Sequence, residues 1–302
     1  MTVKCARKPV IILGMHRSGT SMVSELLDQL GLFVGSTLQD DHESTYFLDI
    51  NDELLRRVSA SWDQPMPFLD FLKYDDAVKM TADALAADLS SPAIRAYFGG
   101  SRWRGKASFE TFEKPWGWKD PRTVFTLPVW LKLFPGAKLV YIIRNGVDVA
   151  KSLMVREKKL LKLRRERFDD RMNRRSTRTF LDRAGYKGSV RCLTLDGGFS
   201  LWEEYVRQAD ASLRGLTNPI HTLLYEDMLA DPRKHLPELA AFCELEVNTS
   251  VVEKAVGKID GSRSMAFAGD AEAWAFFHRI KSTEWMAKFG YDQHPAVADS
   301  DG

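Results

Sequence analysis

Val10-Ile11-Ile12-Leu13-Gly14-Met15-His16-Arg17-Ser18-Gly19-Thr20-Ser21 decides how this chain is read. The apolar run has strand character and feeds a loop bounded by Gly14 and Gly19. A helix follows with apolar positions Met22, Val23, Leu26, Leu27 and Leu30, ended by Gly31. The two glycines have the spacing of a phosphate-binding loop, G-x-x-x-x-G-K-[ST], but Thr20 stands where that loop has Lys; Ser21 fills the Ser/Thr position. A strand–loop–helix turn offers backbone N–H groups and the positive end of a helix dipole to an anion. With the mobile lysine gone, positive charge comes from Arg17 and His16 inside the loop. An arginine fork suits a terminal oxyanion held by two bonds. The loop therefore predicts a phosphate carrying another anionic group, without the usual triphosphate and magnesium apparatus.

Working outward, 302 residues allow one large α/β domain or two small ones with a substantial core. A net charge of +2 implies no global attraction to nucleic acid or membrane. The charge is uneven: Arg156 to Arg178 holds eleven Lys/Arg against four Asp/Glu, so the remainder is acidic. Its charges are spread round a helix, which reads as a solvated face, or as an arm or lid. Cys5, Cys192 and Cys243 are odd in number and far apart, with no metal spacing and no disulfide framework. A reducing, cytoplasmic setting is expected. Lys4, Arg7 and Lys8 precede an apolar stretch too short for a signal peptide, and it runs directly into His16-Arg17. No transmembrane segment is expected.

Along the chain, Phe47 to Val58 has helical apolar spacing, Trp62 to Leu72 reads as an aromatic packed loop, and Thr81 to Phe98 as an Ala-rich helix. Gly99 to Lys106 is a turn region. Trp116-Gly117-Trp118-Lys119-Asp120-Pro121-Arg122 is a short strand ending at Lys119-Asp120. Pro121 then opens a helix that is bent or split at Pro128. Lys138 to Ile143 is a buried strand, with Arg144 at its end and a new helix from Val147-Asp148. Further helices are predicted over Ser200–Leu213, Pro232–Cys243 and Ala271–Phe289, with a strand over Ile220–Leu224. Strands alternating with helices predict a three-layer α/β fold, a mostly parallel central sheet flanked by helices. Ligands in such sheets sit outside the carboxyl ends of the strands. The functional loops are then Gly14–Ser21, Lys119–Arg122, Arg144–Ser152 and Tyr225–Asp227. Residues 1–293 are expected to form a single domain containing the basic segment 156–178, with residues 294–302 a disordered tail.

The loop G-M-H-R-S-G-T-S resembles the 5′-phosphosulfate loop of sulfotransferases that use 3′-phosphoadenosine-5′-phosphosulfate (PAPS). Arg144-Asn145-Gly146-Val147-Asp148-Val149-Ala150-Lys151-Ser152 resembles the same family's 3′-phosphate motif, R-[ND]-P-x-D-V-x-x-S, with Gly146 in place of the common Pro. The resemblance extends through W-G-W-K-D-P-R and Tyr225-Glu226-Asp227 and points to bacterial members. It implies a P-loop-like sulfotransferase fold and sulfuryl transfer from PAPS, leaving PAP, to a hydroxyl or amine on a glycan, lipid or small metabolite. It implies no metal. His16, Arg17, Ser18, Gly19, Thr20, Ser21, Arg144, Ser152 and Arg263 would hold the nucleotide; Arg17 and Lys119 would also stabilise charge in the transition state.

For the base, Glu43 is the first candidate, because Glu43-Ser44-Thr45-Tyr46-Phe47-Leu48-Asp49-Ile50-Asn51-Asp52 is similar to the family's E-N-x-x-F-x-x-L-N-D. The adjacent His42 is the rival, and simple helix capping by this segment is the third reading. A P-loop kinase or nucleotide hydrolase with a Lys-less loop is the alternative function. A nucleic-acid binder using the basic segment lacks interleaved aromatics.

Overall fold

The computed structural model describes residues 2–99, 108–173 and 188–293. Trp103, most of the Gly99–Lys106 turn, the end of the basic segment beyond 173 and the tail from 294 lie outside the described residues. Four parallel strands, β1 (Val10–Leu13), β2 (Gly117–Lys119), β3 (Lys138–Ile143) and β4 (Ile220–Leu224), lie in the order β2-β1-β3-β4. Ile12 is in register with Lys119 on one side and Val140 on the other. The chain leaves β1 for β2, then returns past β1 to β3 and β4. The strand order thus reverses between β1 and β3, a switch point of the kind at which open α/β sheets bind ligands. This is the expected α/β architecture.

The helices in chain order are α1 (Thr20–Gln29), α2 (Thr45–Arg56), α3 (Met66–Phe71), α4 (Asp75–Leu89), α5 (Arg95–Phe98), α6 (Thr123–Leu133) and α7 (Gly146–Asn173). They continue as α8 (Leu195–Leu213), α9 (Tyr225–Ala230), α10 (Pro232–Phe242), α11 (Thr249–Val256), α12 (Ala271–Ile280) and α13 (Glu284–Lys288). Contacts divide the chain into two compact units, one of Met1–Arg144 with Tyr205–Ser264, the other of Asn145–Glu204 with Met265–Gly302.

In the first unit, Val10, Ile12, Val140 and Ile142 pack with the apolar stripe Val23, Leu26, Leu27 and Leu30 of α1 and with Met228, Leu236, Leu239 and Val252. A separate aromatic cluster gathers round β2. Phe47 stacks on Trp118 at 4.1 Å and Phe109 on Trp116 at 4.2 Å. Aromatic pairs of this kind are worth roughly 0.5–1.5 kcal/mol beyond the area they bury. Gly117 lets β2 lie close against β1, since a Cβ there would fall 1.9 Å from the Val10 carbonyl oxygen.

In the second unit, Asn145 Oδ1 accepts from the Val147 N–H at 2.9 Å, the bond of a helix N-cap, and starts α7. Gly146 is there for space: a Cβ would sit 2.7 Å from the Trp202 ring and 2.8 Å from Phe199. Asp148 accepts from the Phe267 N–H at 2.8 Å, and Lys151 pairs with Asp270 at 3.1 Å.

Several local expectations are corrected. Trp62–Leu72 contains the short helix α3. The Ala-rich helix begins at Asp75 and stops at Leu89, because Ser91 caps a new turn through the Ala93 N–H and Pro92 has no N–H to continue the old one. Pro128 does not split α6, which runs on through it with residues on nearly every side buried, so tertiary packing outweighs the lost backbone bond. Ala271–Phe289 is two helices, with Thr283 in the N-cap position of the second. Tyr225 opens α9 directly after β4 rather than a loop.

Candidate active site

The loop between β1 and α1 is held in one conformation by its own backbone. Ser18 donates to the Met15 carbonyl from both its Oγ, at 2.6 Å, and its N–H, at 3.2 Å. Arg17 takes a left-handed conformation with φ 68°. At Gly14, φ 150°, a Cβ would lie 2.6 Å from the Ile142 carbonyl oxygen. At Gly19, φ 89°, it would lie 2.1 Å from the Tyr225 ring. Gly19 occupies the N-cap of α1, and neither a capping side chain nor an acidic residue serves that first turn. The donors and dipole of the helix start are therefore left for an anion. Ser18 and Thr20 are buried and Ser21 half-buried, while the Arg17 side chain is exposed.

Arg144, at the end of β3, reaches this loop. Its Nη1 donates to the Arg17 carbonyl at 3.2 Å, and its Nη2 to the Arg263 carbonyl at 2.9 Å. The guanidinium lies 4.7 Å over the Tyr225 ring. One side chain thus connects the loop after β1 with the 261–263 turn. Arg263 enters through its backbone; its exposed guanidinium lies 3.6 Å from Asp260. His16 packs edge-on against Trp62, ring centroids 4.8 Å apart, and near Tyr205 at 6.2 Å. Ser152 lies on α7 in the second unit, half-buried.

The 36–44 segment turns back on itself: Gln39 and Glu43 close it at 2.9 Å, His42 and Gln39 at 2.8 Å, with His42 left-handed at φ 58°. That turn sends two neighbouring side chains to different places. Glu43, 5% exposed, accepts from Lys119 Nζ at 3.0 Å. Lys119, 1% exposed at the end of β2, also donates to Ser21 Oγ at 3.3 Å and to the Asp41 carbonyl. His42 Nε2 instead meets Asp28 Oδ2 at 3.2 Å. Asp28 lies seven residues beyond Ser21, about 10 Å further along α1. Ser44 is in the N-cap position of α2 but makes no side-chain capping bond, so capping does not account for this segment.

Burial pushes the Glu43 carboxyl above its ordinary value, with the Asp120 charge adding to the effect and Lys119 and Arg122 opposing it. Burial likewise pushes Lys119 below its ordinary value, against the pull of Glu43. Desolvation disfavours both charges, and their mutual attraction restores them only in part.

Behind the pair lies a network that joins residues of two of the quoted motifs, in pairings the motifs do not announce. Asp120 Oδ1 accepts from both the backbone N–H and Nη1 of Arg122 at 3.0 Å, and Asp120 Oδ2 accepts from Asn51 Nδ2 at 2.9 Å. Asn51, fully buried, also donates to Thr123 Oγ1 at 3.0 Å. Its Oδ1 accepts from Thr126 Oγ1 at 2.6 Å and Trp130 Nε1 at 2.8 Å. The signal in the sequence is a lone Asn one turn after Phe47, on the helix face that also carries Leu54 and Leu55. A polar residue on a buried stripe has to find partners there.

The structure brings together Arg17, Ser21, Glu43, Lys119, Arg144 and the backbone of Arg263 in the first unit. It directs His42 to a different partner and shows Ser152 in the second unit.

The model of the Sulfotransferase family matches residues 9–249, a span drawn from both units. No curated protein matches at a significant level. Solved structures similar to this chain include the sulfotransferase domain from the curacin biosynthetic pathway, 15% identical over 93% of this chain and 99% of that one, TM-score 0.48. A mouse sulfotransferase complexed with PAP is 16% identical over 89% of this chain and 68% of that one, TM-score 0.42. A sulfotransferase from Alicyclobacillus acidocaldarius is 16% identical over 89% of this chain and 99% of that one, TM-score 0.41. With four-fifths of its length inside the family match, the chain belongs to the sulfotransferase family.

Proposed function

We propose that the protein transfers a sulfuryl group from PAPS to a hydroxyl or amine of an acceptor, with Glu43 as the base. The observation that carries this reading is the Glu43–Lys119 pair bonded to Ser21 in the first turn of α1, which joins a buried carboxylate to the anion-binding loop. PAPS supplies an activated sulfuryl group, whose sulfur–oxygen bond to the 5′-phosphate breaks as the acceptor bonds to sulfur, leaving PAP. The chemistry of the loop fits such a ligand: an uncapped helix start with no acidic residue in its first turn, and the cationic Arg17, Lys119 and Arg144. The loop holds the 5′ end. Arg144 exchanges a carbonyl contact for the 3′-phosphate. Glu43 takes the acceptor's proton, and Lys119 and Arg17 balance the negative charge that develops on the oxygens around sulfur. His42 is not assigned this role, since its ring is engaged by Asp28. A glycan, lipid or small metabolite remains the proposed acceptor class.

Calorimetric titration with PAP, AMP and magnesium-ATP, on wild type and Arg144→Ala, tests the donor. The expected result is metal-free preference for PAP, weakened by about 1.5–3 kcal/mol in Arg144→Ala, the scale of a charged hydrogen bond. Tighter binding of magnesium-ATP, indifferent to Arg144, would overturn this function and favour a kinase or hydrolase.

A further inference from the structure

Two carboxylates compete for one nitrogen in the first unit. Arg122 Nη1 lies 3.0 Å from Asp120 Oδ1, a hydrogen bond, and 3.8 Å from Glu43 Oε2, a charge contact without a hydrogen bond. Asp120 wins because it is fully buried and fixed from two sides, by the Arg122 backbone N–H and by Asn51. Asn51 is itself fixed, with both amide hydrogens and its oxygen committed to buried partners. Had Arg122 closed on Glu43, that carboxylate would face two hydrogen-bonded cations instead of one, and it would hold a proton poorly.

We propose that Asp120, anchored by Asn51, is a positioning residue that holds the Arg122 guanidinium off Glu43 and so keeps the carboxylate free to accept a proton. This rests on the reading of Glu43 as the base. The other charged groups around these residues are Lys119 on Glu43, Asp41 beside Lys119, and Asp52, 3.5 Å from Arg122 Nε. Tyr205 also acts on Arg122.

The discriminating variant is the exchange Asn51→Asp with Asp120→Asn. It keeps a hydrogen bond between the two positions and keeps an oxygen for Thr126 and Trp130, but moves the negative charge away from Arg122. Glutamate 13C-carboxyl resonances followed by NMR against pH, with Glu43 assigned by its loss in Glu43→Gln, read the base without an acceptor. Moving the Asp120 charge lowers the Glu43 inflection by itself, so the exchange is also made on Arg122→Gln; the expected result is a folded protein whose inflection falls by about one pH unit more with Arg122 present than with it absent. An equal fall with and without Arg122 would mean that Asp120 acts on Glu43 only through its own charge, and that outcome would overturn the proposal. Should the exchange fail to fold, Asp120→Asn alone, with and without Arg122→Gln, gives the same comparison, and an equal fall in both backgrounds refutes the proposal. The reading of Glu43 as base fails separately, if Glu43→Gln transfers sulfuryl groups as fast as wild type.

Discussion

The cluster around Glu43 and the exposed stretch of α7 are both dense in charge, and they differ in almost everything that charge does. In the first, Lys119, Glu43 and Asp120 are buried and Arg122 half-buried, each bound to a protein partner, and the ionisation of Glu43 and Lys119 is displaced by desolvation. In the second, Arg165 pairs with Asp169 at 3.1 Å one helical turn away, with 76% and 50% of the side chains exposed. Water already solvates such groups, so the pair adds little. Counting charges along the sequence ranks α7 first. Chemistry follows burial, and it ranks the sparser cluster first.

Lys119→Ala tests the contrast where the effect is largest. It leaves Glu43 buried without its hydrogen-bonded cation and is expected to cost about 3–5 kcal/mol in denaturant unfolding. A loss below about 1 kcal/mol would put this pair on the same footing as the α7 pairs. Next in size is the pH dependence of turnover. A base works deprotonated, and Glu43 is displaced upward, so the acid limb should lie above the ordinary glutamate value of about 4.3. A limb at that ordinary value would mean that burial does not govern the group. The smallest effect belongs to the surface: Arg165→Ala should change stability by no more than about 0.5 kcal/mol, and added salt should erase even that.

The strand-and-loop frame was legible because local rules govern it. The apolar run Val10–Leu13 and the glycines of the following loop specify a strand, a tight turn and a helix start without help from elsewhere. Ile142 and Tyr225 explain why no side chain fits at Gly14 and Gly19, but neither was needed to recognise the turn. The approach of Glu43 to Lys119 spans 76 residues, and only the family motifs hinted at it. Asn51 is less legible for a plainer reason: neither its place in the family-like motif nor the helical spacing of its neighbours says which way it points or what it bonds. The structure turns Asn51 inward beside Phe47, Leu54 and Leu55, and leaves Ile50 only partly buried. Element ends failed where one residue decides them, as Pro92 does after α4. At Pro128 the expected split is absent, because packing on the surrounding faces of α6 keeps the helix continuous.

Gly146 adds a constraint on how this sequence can vary. The motif that this segment resembles has proline at that point, and proline carries the Cβ that Trp202 and Phe199 leave no room for. Neither partner can change first without a penalty: proline before a smaller Trp202 is a collision, and a smaller Trp202 before proline is a void in a packed interior. Positions 146, 199 and 202 are therefore coupled: proline at 146 calls for smaller side chains at both 199 and 202, so the three positions vary together or at a cost in packing.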